Sequence, residues 1–212
     1  CTVNPVLHYN LEAGLLKPGQ SADFILVDHY KEMNVLETWI KGVKVFDRGD
    51  VLFKYRKGSV INKFNCKRIK TSEIEVLRTK EKMLVMEASD GELLTKKMIA
   101  DTGSKELIES DTSADILKIV VKDRYNNAPP AVGFIKGFGL KQGAFASSVA
   151  HDSHNIICVG TNDLDIVSAV NEIVRLKGGL SVSSEGIISS LKLSIAGIMS
   201  DNSCEEVATE YI

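Results

Sequence analysis

The sequence contains no long apolar run, no block of basic residues, no Cys-x-x-Cys and no His-x-His. No apolar stretch approaches the ~20 residues that a helix needs to cross a bilayer, so a helical membrane span has no support. Formal net charge is −2. Without a basic patch, binding to nucleic acid or to an anionic membrane has no electrostatic basis. The four cysteines (Cys1, Cys66, Cys158 and Cys204) are widely scattered, which reads as free thiols in a reducing, cytoplasmic setting. No secretory signal and no solenoid-period repeat stand out. The glycines of Gly137-Phe-Gly139-Leu-Lys141 satisfy neither G-x-x-x-x-G-K-[ST] nor G-x-G-x-x-G, so they read as backbone geometry and not as a phosphate cradle.

What remains is ordinary for a soluble globular protein: 44% hydrophobic and 25% charged residues in 212 positions, enough for one large or two small domains. The chain opens at Cys1 without Met, and its first residues resemble the interior of a longer protein, so a fragment is expected. Pro5 suits the first turn of a helix. Leu7, Leu11 and Leu15 would then line one face, with Pro18-Gly19 ending it. Strands are expected over 22–28, 35–40 and 43–46, with a tight turn at Lys41-Gly42 and a charged turn at Arg48-Gly49-Asp50. Residues 52–72, carrying Lys54, Arg56, Lys57, Lys63, Lys67, Arg68 and Lys70, read as a solvated linker.

Beyond the linker, strands are expected around Ile74 and Val76, at 83–86, at 98–99, at 117–121 and over 132–140. Thr161 or Asn162 can cap a helix whose first turn holds Asp163 and Asp165. Leu164, Val167 and Val170, with Ile166, Ile173 and Val174 beside them, form its apolar face, and Gly178-Gly179 stops it. A strand over 180–182 follows, and Ser203 with Glu206 marks a final capped helix. The fold class is α+β: a small β-strand segment over 1–60 behind the opening helical turn, then an α/β domain over 61–212 with mixed sheets and a few packed helices.

The candidate functional residues lie in one polar stretch, His151-Asp152-Ser153-His154-Asn155, between the apolar runs 145–150 and 156–159. Two strands joined by a short loop would present these side chains from a rigid base. Three readings stand. The stretch is a structural turn, since Asp, Ser and Asn bond their own backbone. Or His151 and His154, with Asp152 and Cys158 nearby, bind a metal, although the spacing matches no closed zinc motif. Or the loop faces a pocket built elsewhere and supplies hydrogen bonds or a proton.

Two sets of motifs carry a family resemblance. Thr2-x-Asn4-Pro5, Gly14-Leu-Leu-Lys-Pro18-Gly19-Gln-Ser-Ala22-Asp23-Phe-Ile-Leu-Val27 and Val43-Lys-Val45 resemble the C-terminal tail of the amidohydrolase superfamily. There the strands after a metal-bearing (β/α)8 barrel complete a small β-sandwich. Val121-x-Asp-Arg-Tyr125, Gly133-Phe-Ile-Lys-Gly-Phe-Gly-Leu-Lys141, Ser147-Ser-Val-Ala-His-Asp-Ser-His-Asn155, Gly178-Gly179 and Ile195-Ala-Gly-Ile-Met-Ser-Asp201 together resemble the C-terminal domain of adenine deaminases. Lys192-Leu-Ser194 departs from the proline-containing phrase more usual in that family.

The resemblance implies hydrolysis of adenine to hypoxanthine and ammonia in purine salvage, by a cytoplasmic homo-oligomer. The attacking hydroxide would sit on a divalent metal (manganese, iron or zinc) held in the barrel. No His-x-His is present, and neither is the H-x-E with P-C-x-x-C of the zinc nucleobase deaminases. The 212 residues are therefore expected to hold no metal of their own and to be inactive alone. In a longer enzyme of that kind, His151, Asp152, Ser153, His154 and Asn155 are expected to reach the mouth of the barrel and face the active site. An alternative is a non-catalytic oligomerisation or packing module of another amidohydrolase.

Overall fold

The computed structural model describes residues 3–54 and 58–212. Arg56 and Lys57 of the basic linker lie outside the described residues. The chain forms two compact units, Cys1–Gly58 and Ser59–Ile212.

The first unit begins with a short helix α1, Val3–Tyr9. It ends earlier than the leucine spacing suggested. Asn10 turns into the left-handed region at φ 51°, so Leu11 and Leu15 never join the helical face. A four-stranded antiparallel sheet follows in the order β1-β2-β3-β4: Phe24–Val27, Val35–Ile40, Val43–Asp47 and Asp50–Val51. Lys41 and Gly42 both take positive φ, 52° and 76°, as a two-residue hairpin matching strand twist requires. Arg48-Gly49 repeats that geometry and adds β4, a two-residue strand absent from the sequence-based reading. Phe24 and Trp39 stack at 5.8 Å, yet Ile25, Leu26, Ile40, Val43 and Val51 stay exposed. One sheet of this size cannot bury its own faces.

The second unit is an eight-stranded mixed sheet in the order β12-β11-β9-β10-β7-β8-β5-β6. Its strands are β5 (Lys82–Glu87), β6 (Lys96–Asp101), β7 (Ile116–Lys122), β8 (Ala131–Lys136), β9 (Ala144–Ser147), β10 (Ile156–Gly160), β11 (Gly179–Ser184) and β12 (Ile187–Lys192). All neighbours are antiparallel except β5 and β8, which pair in parallel at Met86↔Ile135. β8 stops at Lys136, before the expected Leu140, because Gly137 turns to φ 106° against the Ala88 carbonyl. The expected strand at Ile74 and Val76 does not form. A 3-10 turn, Thr71–Glu73, drops Ile74 directly into the core instead.

Helix α2, Asp163–Leu176, is capped by the Asn162 side chain, which accepts from the Asp165 N–H at 2.9 Å. It ends at Lys177, left-handed at φ 60°. Its buried face is Ile166, Ala169, Val170 and Ile173, with Asp165. Leu164, read from sequence as part of that face, is 73% exposed. The i, i+3, i+4, i+7 stripe runs from Ile166, and Leu164 falls off it. Ile166, Val170 and Ile173 each contribute roughly 1.5–3 kcal/mol. The capping box of Ser203 and Glu206 opens α3, Cys204–Tyr211, as the sequence indicated.

The linker also differs from its sequence reading. Lys63, Lys67, Arg68 and Lys70 are exposed, but Cys66 and Ile69 are buried and Phe64 packs on the core. Residues 61–69 form an extended strap. Asn62 Nδ2 donates to the Lys177 and Ser194 carbonyls at 2.7 and 3.0 Å. Ile69 exchanges two bonds with the Asn171 side chain of α2, at 2.8 and 3.0 Å. Asparagine amides thus supply the partners that a sheet would otherwise give this backbone.

On its α2 side, β7 carries Lys118, Val120 and Lys122, all buried. Lys118 is 1% exposed; its Nζ donates to Asp163 Oδ1 at 2.5 Å and to the Ile74 carbonyl at 3.1 Å. Breaking such a pair costs more than replacing the charge with a hydrocarbon. Asp163→Asn is expected to destabilise the chain by about 3 kcal/mol and Lys118→Met by less, measured by urea unfolding; the reverse order would reject this account. Where β7 ends, Asp123 Oδ1 accepts from the Tyr125 N–H at 2.8 Å and the Asn126 N–H at 3.2 Å. These bonds, the Tyr125 N–H first, hold its carboxyl below the usual range. A depressed value means stabilisation present above the unfolded value of about pH 4 and lost as pH falls through the lower folded value. In an NMR titration of the chain, the Asp123 carboxyl is expected to protonate below that pH, and the Tyr125 amide to lose protection with it.

Candidate functional site

The polar stretch forms the connection between β9 and β10, which pair from Gly160↔Ala144 to Ile157↔Ser147. Ala144 and Ala146 are buried on the α2 side, so β9 is fixed from below. Ser148, buried at the base, donates through Oγ to the Gly197 carbonyl at 2.5 Å and accepts from the Gly179 N–H at 2.8 Å. Above that base the chain doubles back. Ser153 N–H donates to the His151 carbonyl at 3.1 Å, and His154 N–H to the Ala150 carbonyl at 2.7 Å. Asp152 and His154 sit in the left-handed region at φ 69° and 48°. Aspartate and histidine enter this region more readily than most side chains.

The five residues face different surroundings. The His151 side chain is 95% exposed, with Nδ1 3.0 Å from Asp152 Oδ1. Ion pairs this open to water add little to stability. Ser153 Oγ accepts from the Asn155 N–H at 3.4 Å, and its carbonyl accepts from the Tyr125 hydroxyl at 3.2 Å. His154 is half-buried, and its Nδ1 is buried without a hydrogen-bond partner among the described residues. Asn155 Oδ1 accepts from the Arg124 N–H at 3.4 Å. The structure therefore brings His151 to Asp152, and joins Ser153 and Asn155 to the 124–125 turn. No hydrogen bond or ion pair links His151 with His154 among the described residues.

Cys158, considered with the histidines as a metal ligand, points the other way. It lies on β10 beneath α2, 1% exposed, and burial drives its thiol strongly upward in pKa. A thiolate ligand there would be an uncompensated buried charge. Among the described residues no group of three or more His, Cys, Asp or Glu side chains could hold a metal ion.

Arg124 is the functional candidate that sequence reasoning missed. It is 4% exposed. Nη2 donates to the Tyr125 hydroxyl at 2.8 Å, and the guanidinium lies 4.6 Å from the Tyr125 ring centre and 5.7 Å from that of Phe64. Nε and Nη1 are buried without hydrogen-bond partners among the described residues. A Cβ on Gly197 would fall 2.0 Å from Nη1. The available signal was the in-out alternation of β7: Lys118, Val120 and Lys122 face α2, and the next position on that side is Arg124.

A family model described as the adenine deaminase C-terminal domain matches residues 92–212, which include the whole 151–155 loop and the Arg124 turn. Curated relatives named adenine deaminase align along nearly the full chain. The protein from Parabacteroides distasonis is 41% identical over 209 residues, covering 98% of this chain and 38% of the relative. That from Methanosarcina mazei is 43% identical over 221 residues, with 98% and 40% covered. That from Borreliella burgdorferi is 40% identical over 213 residues, with 99% and 39% covered. The chain thus spans about two-fifths of the length of the curated relatives it matches. With the family's domain lying over the sheet, helix and loop just described, the chain belongs to the adenine deaminase C-terminal domain family.

Proposed function

We propose that this chain is the C-terminal part of an enzyme that hydrolyses adenine to hypoxanthine and ammonia, and that its 151–155 loop closes over the purine site. The observation that carries the reading is the family match over residues 92–212, which places that loop inside the matched domain. Cys1–Gly58, a sheet with apolar residues exposed, would be the returning half of a β-sandwich begun by the preceding chain. A homo-oligomer, a cytoplasmic setting and a role in purine salvage belong to the same proposal; the free thiols of Cys66, Cys158 and Cys204 support the reducing setting alone. Among the described residues no helix is long and apolar enough to cross a membrane.

A divalent metal, manganese, iron or zinc, belongs to the reading of the longer enzyme, but the described residues do not fit one. His151 is paired with Asp152 in open solvent, His154 Nδ1 is buried, and no third ligand joins them. The roles of this chain are then those of hydrogen bonding and proton movement. His151, held by Asp152, can pass a proton to or from the substrate. Asn155 keeps its amide N–H groups for a ring nitrogen while its oxygen serves Arg124. Ser153 keeps its hydroxyl proton, because its Oγ only accepts from Asn155. Closing such a loop also removes water and strengthens each of these contacts.

The packing alternative is favoured by one observation. Phe138, Phe145, Val149, Val182 and Tyr211 are exposed around the β9–β11 face opposite α2, an apolar surface suited to another protein layer. If packing is its only role, a longer protein lacking residues 70–212 changes oligomeric state while keeping its kcat.

Ammonia release from adenine is expected from a protein in which this chain follows a metal-bearing barrel, and none from the 212 residues alone; turnover by the purified short chain would reject the assignment. In the longer protein, His151→Ala and His154→Ala are each expected to lower turnover about a hundredfold without unfolding the protein. Unchanged kinetics for both would remove the loop from the chemistry.

A further inference from the structure

We infer that Arg124 is a positioning residue, which acts through the Tyr125 hydroxyl to hold the 151–155 loop in one conformation. Its consequence for catalysis rests on the reading of that loop as facing the purine site; the positioning itself does not.

The donor chain has one direction. Arg124 Nη2 donates to Tyr125 Oη at 2.8 Å, and Tyr125 Oη donates to the Ser153 carbonyl at 3.2 Å. A hydroxyl that accepts from a guanidinium becomes a stronger donor, so the charge of Arg124 reaches the loop backbone. The Arg124 main chain adds a second tie, from its N–H to Asn155 Oδ1 at 3.4 Å. Both ties hold the side of the loop that leads into β10, and β7 and β10 are themselves paired at Ile156↔Lys122.

Arg124 is in turn fixed from three sides. Its carbonyl accepts from the Asn65 and Cys66 N–H groups of the strap at 2.7 and 3.2 Å. Its guanidinium lies over the rings of Phe64 and Tyr125. The third side is Gly197, where any Cβ would collide with Nη1. The carbonyl of that same Gly197 accepts from Ser148 Oγ, the anchor on the β9 side of the loop. One glycine in the 195–199 turn therefore touches the supports of both loop ends.

A buried guanidinium that finds, among the described residues, a side-chain acceptor for Nη2 but none for Nε or Nη1 is costly. A residue needed only to fill space would be cheaper as an aliphatic. The loop also requires holding, because Asp152 and His154 are both in the left-handed region, which an untied chain leaves readily.

Tyr125→Phe deletes one hydroxyl and keeps the ring stack. Hydrogen exchange on the 212-residue chain is expected to show the His154 amide, bonded to the Ala150 carbonyl, exchanging about tenfold faster, with α2 amides unchanged. Arg124→Lys keeps the charge but neither forks nor stacks, and is expected to loosen the same amide. An unchanged His154 amide in Tyr125→Phe, or an equal loss of protection in α2, would overturn the inference. In the longer protein, selective loosening is expected to lower kcat for adenine about tenfold with KM held. Loosening without any change in kcat would leave the positioning standing and overturn only the reading of the loop as part of the purine site.

Discussion

The second unit depends on how closely α2 can lie against the sheet. Gly160 ends β10 where α2 begins, and a Cβ there would stand 2.4 Å from Ile166 and 2.7 Å from Ala144. The small residues Ala144 and Ala146 on β9, and the buried Ser181 and Ser183 on β11, continue that flat floor. Both serines turn their hydroxyls to the helix: Ser181 donates to the Ala169 carbonyl at 3.0 Å and Ser183 to Asp165 Oδ1 at 2.9 Å. A larger side chain at any of these positions would lift the helix and open gaps throughout a close-packed interior.

This close contact fixes β9, β10 and β11 from one side, and so fixes the base of the 151–155 loop. The loop itself is polar and mostly exposed. Its definition comes from its two ends, at Ser148 and at the Arg124–Tyr125 turn. A rigid sheet carrying one shaped loop is the usual way a fold presents donors to a ligand without ordering them at the moment of binding. The buried cations follow the same logic. Lys118 meets a carboxylate, while Lys122 is met by the Ala128 carbonyl and Asn127 Oδ1, which ties down the 126–130 loop. Lys118 thereby holds the start of α2 and Lys122 the loop after β7.

Much of this was legible in the sequence. Strands β2, β7 and β10, the hairpin turn at Lys41-Gly42, the Asn162 and Ser203 caps and the Gly178-Gly179 stop follow from short apolar runs, positive-φ residues and side-chain oxygens placed at helix starts, whereas β9 ends at Ser147, short of the expected Ala150. The candidate loop was legible too, because five polar residues between two apolar runs can only be a connection. Its internal arrangement was not. That His151 turns to Asp152 while His154 turns inward depends on two left-handed residues, which spacing alone does not specify.

By itself, the sequence determined local conformation: where the chain is extended, where it coils, where it must turn, and that 151–155 is exposed polar loop. These are set by forces between residues a few positions apart. Tertiary structure alone decided that Leu164 is left in solvent, that the basic linker is a strap against α2, that Ile74 is core without being strand, and that Arg124 is buried beneath the loop. Each of those outcomes depends on a contact between segments far apart in the chain: Asn171 with Ile69, Lys118 with Asp163, Gly197 with Arg124. Periodicity says which face is apolar, and only packing says what that face meets.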